Sequence, residues 1–425
     1  YNETTVGGDV ADVTCVFAAT NSFIDAYLDN ASAMFRINKD MIVKDCVWTN
    51  NYLYAFPDNT SPSLTVEGGR WVNLSRIRFA GKNGSISVND GEHELYGQVY
   101  IGYDEQGGHD WNATLNVSGP DTKIKMSSDE MIAFGWNCRG DFNLEGGEIS
   151  LPSVGGLSFA HAGSDSLTVA TMSGGKIVAP SSAPSIVVGR VGHAEFTQSG
   201  GEIVAKALWL GQMANATDPR MGYYHQTGGE AEFQYVNMSH ASANTEVALD
   251  GGTFTVGCIE SRGGSTAAGG TGRATLSADG GTLRAKFAVA GFVQKIDAVK
   301  LGPKGLTVDT DYDVTIKQDI TAKDANGGKL IKTGRGTLTI DGRIADTIEV
   351  VVLEGKVVFG KTSELAALTI GSETSAGAIA LGGDAELSVK GAVIIYHNAS
   401  PDDFSFTKDD QGVTRIVPND SPAQS

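Results

Sequence analysis

Through the middle of the chain, apolar and polar residues alternate with period two, and glycine pairs interrupt the alternation. Two and four places before the first glycine stand Leu64/Val66, Phe142/Leu144, Ala170/Met172, Phe196/Gln198, Tyr224/Gln226, Val247/Leu249 and Leu276/Ala278. Two and four places after the second stand Trp71/Asn73, Ile149/Leu151, Ile177/Ala179, Ile203/Ala205, Ala231/Phe233, Phe254/Val256 and Leu283/Ala285. Period two on both sides of a glycine pair predicts strand, corner, strand. Glycine suits a corner that needs positive φ or close backbone approach, and the preceding Ser, Thr, Asp or Glu can bond the local backbone. A third short strand closes several units, as in Val99-Tyr100-Ile101-Gly102, Ile132-Ala133-Phe134-Gly135, Ile186-Val187-Val188-Gly189 and Leu208-Trp209-Leu210-Gly211.

From Gly147 onward the second glycines lie 28, 26, 28, 23 and 29 residues apart. A period of that size signals a repeat architecture. Three strands and three corners per repeat make one rung of an all-β, right-handed, single-stranded parallel β-helix (a solenoid) of about 23–29 residues per rung. Only a stack of rungs buries the apolar faces. The expected divisions are an N-terminal cap over 1–60, a Gly-Gly-repeat β-helix over 61–290, a continuation over 291–399 and a polar tail or hairpin over 400–425. The cap carries Phe17, Phe23, Tyr27, Phe35, Trp48, Tyr52 and Tyr54, and its segment Asn21–Met34 is the one short candidate helix. Gln198 and Gln226 fall at equivalent inward positions, where stacked amides are expected to satisfy each other.

At Ala274 the pattern changes character. Asp279-Gly280-Gly281-Thr282-Leu283-Arg284-Ala285, Leu306-Thr307-Val308-Asp309-Thr310 and the run Leu330–Ile340 (LIKTGRGTLTI) resemble the autotransporter-associated β-strand repeat family, with Leu353–Val358 like its closing strand. The resemblance is specific over 274–360 and looser over 60–273. It implies a secreted or surface-displayed bacterial β-helix of the stalk and adhesin kind, whose repeat carries no catalytic motif. The chain departs from the family after His397, where a polar tail replaces the alternating strands of a barrel translocator. The chain is therefore expected to be released, or held to its surface non-covalently. Tyr1 is no initiator and no secretory leader stands there, so a mature, processed form is expected.

Composition agrees with this life. The chain has 55 glycines in 425 residues and 8% aromatics, and no apolar run long enough to span a membrane as a helix. Its net charge of −18 speaks against nucleic acid as a partner. Sequons at Asn2, Asn30, Asn59, Asn83, Asn112, Asn116, Asn215, Asn237 and Asn398 are candidate glycosylation sites, while Asn73 falls at an inward position. The tendency of Asn, Ser and Thr to favour corners accounts for the sequons equally well. Cys15 and Cys46 are 31 residues apart, close to one rung, and are the candidate disulfide; Cys138 and Cys258 read as lone buried thiols. The residues just after the glycine pairs suggest an axial charge ladder of Arg70, Glu92, Glu148, Lys176, Glu202, Glu230, Thr253 and Thr282. Within it Glu202, Glu230 and Glu232 are a weak calcium candidate, with a solvated acidic patch the simpler reading. No other cofactor or metal is implied.

Enzymatic readings find thin support. Polysaccharide cleavage on a β-helix needs convergent carboxylates. The sequence offers Asp104, Glu105, His109 and Asp110 in one loop, and His161 with Asp165 in another. His193, His225 and His240 stand singly. A non-enzymatic extracellular structural protein is expected, a β-helical subunit of a surface stalk or head-to-tail fibre. Self-assembly would then use the hairpin-like Phe404, Phe406, Val413 and Ile416. The alternative is a surface adhesin that binds glycans or host surfaces through the aromatic insertions Tyr103–Trp111 and Met213–Tyr224. A polysaccharide lyase or depolymerase is the second alternative.

Overall fold

The computed structural model describes the chain outside residues 1–23, 30–31, 38–39, 46, 56–60, 152–154, 181–184, 213–220, 239–242, 262–271, 397–403 and 420–425. Its described residues are all strand, turn and loop, with parallel strands stacked as a β-solenoid of about 13 turns. Each turn has three faces. The first face carries the strands before the glycine pairs, such as Gly84–Asn89, Asn112–Ser118 and Arg139–Leu144. The second carries those after them, such as Lys123–Met126 and Lys176–Ala179, and the third carries Val99–Tyr103, Ile132–Trp136 and Leu157–Ala162.

Inward positions repeat on every turn and so stack into ladders along the axis. On the third face one ladder begins Leu53, Ile77, Val99, Ile132, Leu157, Ile186, Leu208, Val236 and Ile259. It continues without a break through Val293, Ile316, Ile340 and Phe359 to Leu381. A buried aromatic spine runs beside it. Phe134 and Phe159 stack at 5.1 Å, Phe159 meets Phe196 at 5.4 Å, and Phe196 meets Tyr224 at 5.6 Å. These side chains are fully buried, and full burial of one such ring contributes roughly 1.5–3 kcal/mol.

The glycine pairs are corners from the first face to the second, as the alternation predicts. Gly201 has φ +73°, and a Cβ there would lie 2.5 Å from the Gly175 carbonyl oxygen of the preceding turn. Its partner Gly200 has no positive φ, yet its Cβ would lie 2.3 Å from the Ser173 carbonyl. Both glycines are needed because successive corners nest directly on one another. Asp279-Gly280-Gly281 departs from the series: the positive φ, +129°, moves to the first glycine. Further along, Gly334 and Gly355, φ +74° and +70°, serve a different corner, from the second face to the third.

The ends depart from the expectations. Over 21–34 the structure has strands Ile24–Asp29 and Ser32–Ile37, an antiparallel hairpin, where a helix was expected; Ser32–Ile37 then pairs in parallel with Tyr52–Ala55. The parallel ladder already includes Met41–Lys44, Val47–Asn50 and Tyr52–Ala55, within the segment read as cap. At the other end Phe404–Lys408 and Thr414–Pro418 form the hairpin that their alternation suggests, and it folds back antiparallel onto Leu387–Val389. Ile416 is buried there, Phe404 and Phe406 pack half-buried against the core, and Val413 is half-buried.

Candidate functional site

Inward polar residues are used on the corners. Gln198 and Gln226 share a register position and are fully buried, but their amides do not bond each other as the sequence suggested. Gln198 Nε2 donates to the Gly201 and Glu230 carbonyls at 3.2 and 3.1 Å, and Gln226 Nε2 repeats this one turn on, to Gly229 and Thr253. His93 Nε2 donates to the Asp90 carbonyl at 2.8 Å, and Lys332 Nζ to those of Thr333 and Gly334 at 2.6 and 2.7 Å. Burial draws the Lys332 pKa down to about 8, against Asp309, Glu354 and Asp311, so the ammonium survives at neutral pH. Each of these groups gives a side-chain donor to carbonyls at a sharp corner, beside the backbone N–H that those of Gly201 and Thr333 also accept. They are structural.

Outward positions on the third face behave differently. Tyr54, Arg78, Tyr100, Ala133, Ser158, Val187 and Trp209 occupy one register line on successive strands. Beside it lies a continuous stack of rings and guanidinium groups. Arg78 Nη1 donates to the Tyr54 hydroxyl at 2.7 Å, and the same guanidinium lies 4.6 Å from the Tyr103 ring centre, within cation–π range. Tyr103 meets Trp136 at 5.4 Å, Trp136 meets His161 at 5.5 Å, and His161 Nε2 lies 3.1 Å from Arg190 Nη1. Tyr100 packs edge-on to Trp136 at 5.4 Å and, with Tyr103 and Ala133, forms a second apolar cluster separate from the solenoid core.

Charge on this surface is arranged unusually for so acidic a chain. Arg190 is half-buried, and burial holds its pKa below the ordinary arginine range with only Tyr100 acting the other way. Among the described residues its side-chain bonds run to the His161 ring and the His161 carbonyl, with no carboxylate among them. Arg78 Nε is buried and meets no acceptor among the described residues; the nearest carboxylate, the exposed Glu105, lies 3.8 Å from Nη1. A guanidinium has no acceptor, so His161 Nε2 must accept from Arg190 and the ring proton sits on Nδ1, which donates to Ser158 Oγ at 2.8 Å. Burial and the Arg190 charge lower the His161 pKa to about 3. In this tautomer the ring cannot take a proton from Ser158, so the pair is not a nucleophile–base dyad.

The remaining sequence candidates fall in several places. Asp104 is buried and accepts from the backbone amides of Gly107 and His109, both at 3.0 Å, and lies 3.0 Å from His109 Nδ1. It thus shapes the loop, whose Trp111 stacks on His109 at 4.2 Å. Asp165 is exposed, and the His161 ring bonds Ser158 and Arg190. Burial and the Asp104 charge push the Cys138 thiol up to about 12, and Cys258 is half-buried. His193 lies 3.4 Å from Glu195 and His225 2.9 Å from Asp250. Of the Met213–Tyr224 insertion, 213–220 lie outside the described residues, and Tyr224 belongs to the core. Cys15, Cys46, His240, Asn2, Asn30, Asn59, Asn215 and Asn398 also lie outside them.

Asn73 is buried, as expected, and accepts from Asn50 Nδ2 at 2.6 Å. Asn83 is exposed, whereas Asn237 is only 5% exposed, too enclosed for a glycan on the folded chain. Asn112 Nδ2 donates to Asn83 at 3.0 Å, and Asn116 Nδ2 donates to Ser87 at 3.3 Å. The axial charge ladder is longer than the sequence suggested, since Lys123 stands between Glu92 and Glu148. Lys123 pairs with Glu92 at 3.0 Å and Lys176 with Glu202 at 2.9 Å. Glu230 follows Glu202 in register and Glu232 is held by Lys286 at 2.7 Å, while no three His, Cys, Asp or Glu converge as a metal site among the described residues. No helix of the described residues is long and apolar enough to cross a membrane.

The stack from Tyr54 to Arg190 was not legible in the sequence. Its members are single outward residues on different turns, and no local motif joins them. The signal that could have found it is the rung itself, which puts Tyr54, Arg78 and Tyr100 on successive strands. Compared with known proteins, the chain matches no family model, no curated protein and no solved structure.

Proposed function

We propose that the chain is a non-enzymatic extracellular solenoid that acts as an adhesin, binding a partner through the outward surface of its third face. The observation that carries this reading is the uninterrupted stack of Tyr54, Arg78, Tyr103, Trp136, His161 and Arg190. Folding explains the inward ladders and the corners, but the solenoid has no need of two guanidinium groups on an aromatic surface. The likeness of 274–360 to autotransporter-associated repeats supports an extracellular display role. The fixed tautomer of His161 and the use of Asp104 in its own loop weigh against catalysis.

A stalk subunit is the second reading, favoured by the unbroken ladder from Leu53 to Leu381, which suits a stiff rod. Its head-to-tail form loses the support it drew from Phe404, Phe406 and Ile416, since their hairpin is occupied by Leu387–Val389. Screening the full chain on a glycan array, with Trp136→Ala as control, tests the adhesin. Binding that the variant loses is the expected result; regular fibres in negative-stain images with no glycan bound would replace it by the stalk. Release of unsaturated oligosaccharides from a polymer would overturn both.

A further inference from the structure

The geometry points to a carboxylate-bearing saccharide chain as the ligand of the third face, held between Arg78 and Arg190 and lying on Trp136. This rests on the adhesin reading and names the ligand class of the same surface. The register counts four strand steps from Arg78, through Tyr100, Ala133 and Ser158, to Val187, three residues before Arg190. At about 4.8 Å per strand the backbone positions that carry the two arginines are roughly 19 Å apart along the axis. That span suits an extended oligomer and is far too long for one small anion.

Chemistry narrows the class. A half-buried guanidinium without a carboxylate is costly to hold in the protein, and an anion from a ligand would relieve it. Arginine presents a planar fork that matches a carboxylate bidentately. Arg190 has one nitrogen committed to His161, which leaves the rest of its fork for a ligand. Arg78 is fixed from both sides, by the Tyr54 hydroxyl and the Tyr103 ring, and so is preorganised for the same task. The half-buried Trp136, backed by the buried Tyr100, offers apolar area for the C–H side of a pyranose ring. A neutral sugar would leave the Arg190 charge uncompensated, while Arg78 would keep only the exposed Glu105. At a net charge of −18 the chain as a whole repels a polyanion, so the two arginines must supply the local attraction.

The test is isothermal titration of the full chain with four hexasaccharide probes: oligogalacturonate, its fully methyl-esterified form, cellohexaose and a heparin fragment. Expected are binding of oligogalacturonate that weakens as salt rises, and at least about tenfold weaker binding of the methyl ester. Arg190→Gln and Trp136→Ala are each expected to weaken the uronate by about tenfold or more. Circular dichroism and melting curves check that the variants fold. Should Arg190→Gln not fold, Arg190→Lys keeps the charge without the fork and is expected to bind several-fold more weakly than the parent. Equal binding of acid and ester, or parent-like binding by Arg190→Lys, overturns the carboxylate clamp. If the neutral probe binds and Trp136→Ala abolishes it, the acidic ligand falls while the adhesin stands. Preference for the heparin fragment over the uronate overturns the carboxylate in favour of a sulfate. Silence from all four probes at millimolar concentration overturns the saccharide ligand, and the glycan array then decides the adhesin separately.

Discussion

Ala160 stands in the left-handed region, with φ +50°, immediately after Phe159; the neighbouring turns place Gly135 and Gly189 after Phe134 and Val188. An L-residue there costs roughly 1–2 kcal/mol that glycine avoids, partly offset by the entropy glycine loses on folding. Ala160→Gly is therefore expected to raise the unfolding free energy by about 1 kcal/mol in urea denaturation, and an unchanged midpoint would refute the strain. Gly201→Ala runs the other way, since its Cβ meets a backbone oxygen at 2.5 Å that cannot swing aside, and should cost at least about 2 kcal/mol. His161 carries a pH dependence. It is buried neutral, with a folded pKa of about 3 against an ordinary 6.5. As pH falls below 6.5 the unfolded chain takes up this proton and the fold does not, so stability is full above 6.5 and declines below it. The slope is at most about 1.4 kcal/mol per pH unit. The stability difference between parent and His161→Asn should shift by that slope between pH 6.5 and 4, the other groups cancelling. A constant difference would mean that the ring takes its proton within the fold.

Each strand contributes a period-two stripe to a ladder, and each corner leaves carbonyls that the next turn must satisfy. This division explains what the sequence made legible at the level of elements. Strand and corner were legible because side-chain alternation and the glycine requirement are both local. The partners of Gln198 and Gln226 were not, because alternation says that an amide points inward and nothing about which acceptor it finds. The helix expected over Asn21–Met34 failed for a related reason. Apolar spacing in a short segment is ambiguous between periods, and strand pairing with Tyr52–Ala55 decided it. Gln198→Leu tests the corner role: it preserves bulk but takes a side-chain donor from the Gly201 and Glu230 carbonyls and removes the acceptor of the buried Tyr224 hydroxyl. The expected loss is about 1–3 kcal/mol by chemical denaturation, whereas replacing an outward residue such as Thr197 should change little. Equal losses at the two positions would mean that the amide does not hold the corner.

Over the whole molecule, a solenoid has no closed core and must finish its ladders somewhere, because an unpaired strand edge is a template for another chain. Here the third face is met near its start by the hairpin Ile24–Asp29/Ser32–Ile37, and the first face is met near its end by the hairpin Phe404–Lys408/Thr414–Pro418. The second hairpin was visible in the sequence as two alternating runs around a polar turn, but whether it served its own chain or a neighbour was a long-range matter that no local pattern decides. The candidate site has the same origin: its residues meet only because the rungs stack in register. The antiparallel direction at each end interrupts a parallel ladder that would otherwise accept another copy end to end. Ile416 is the anchor of the C-terminal hairpin, buried opposite Leu387 and Phe406. Ile416→Asp would place a carboxylate in that contact, release the hairpin and leave the Leu387–Val389 edge unpaired. The expected outcome is a rise in average mass with concentration by light scattering, relative to the parent, while the circular dichroism of the solenoid is retained. Solenoid stability is approximately a sum over neighbouring repeats, so damage at one end need not propagate to turns many rungs away. A variant of unchanged mass at every concentration would show that the first-face edge is guarded by something other than this hairpin.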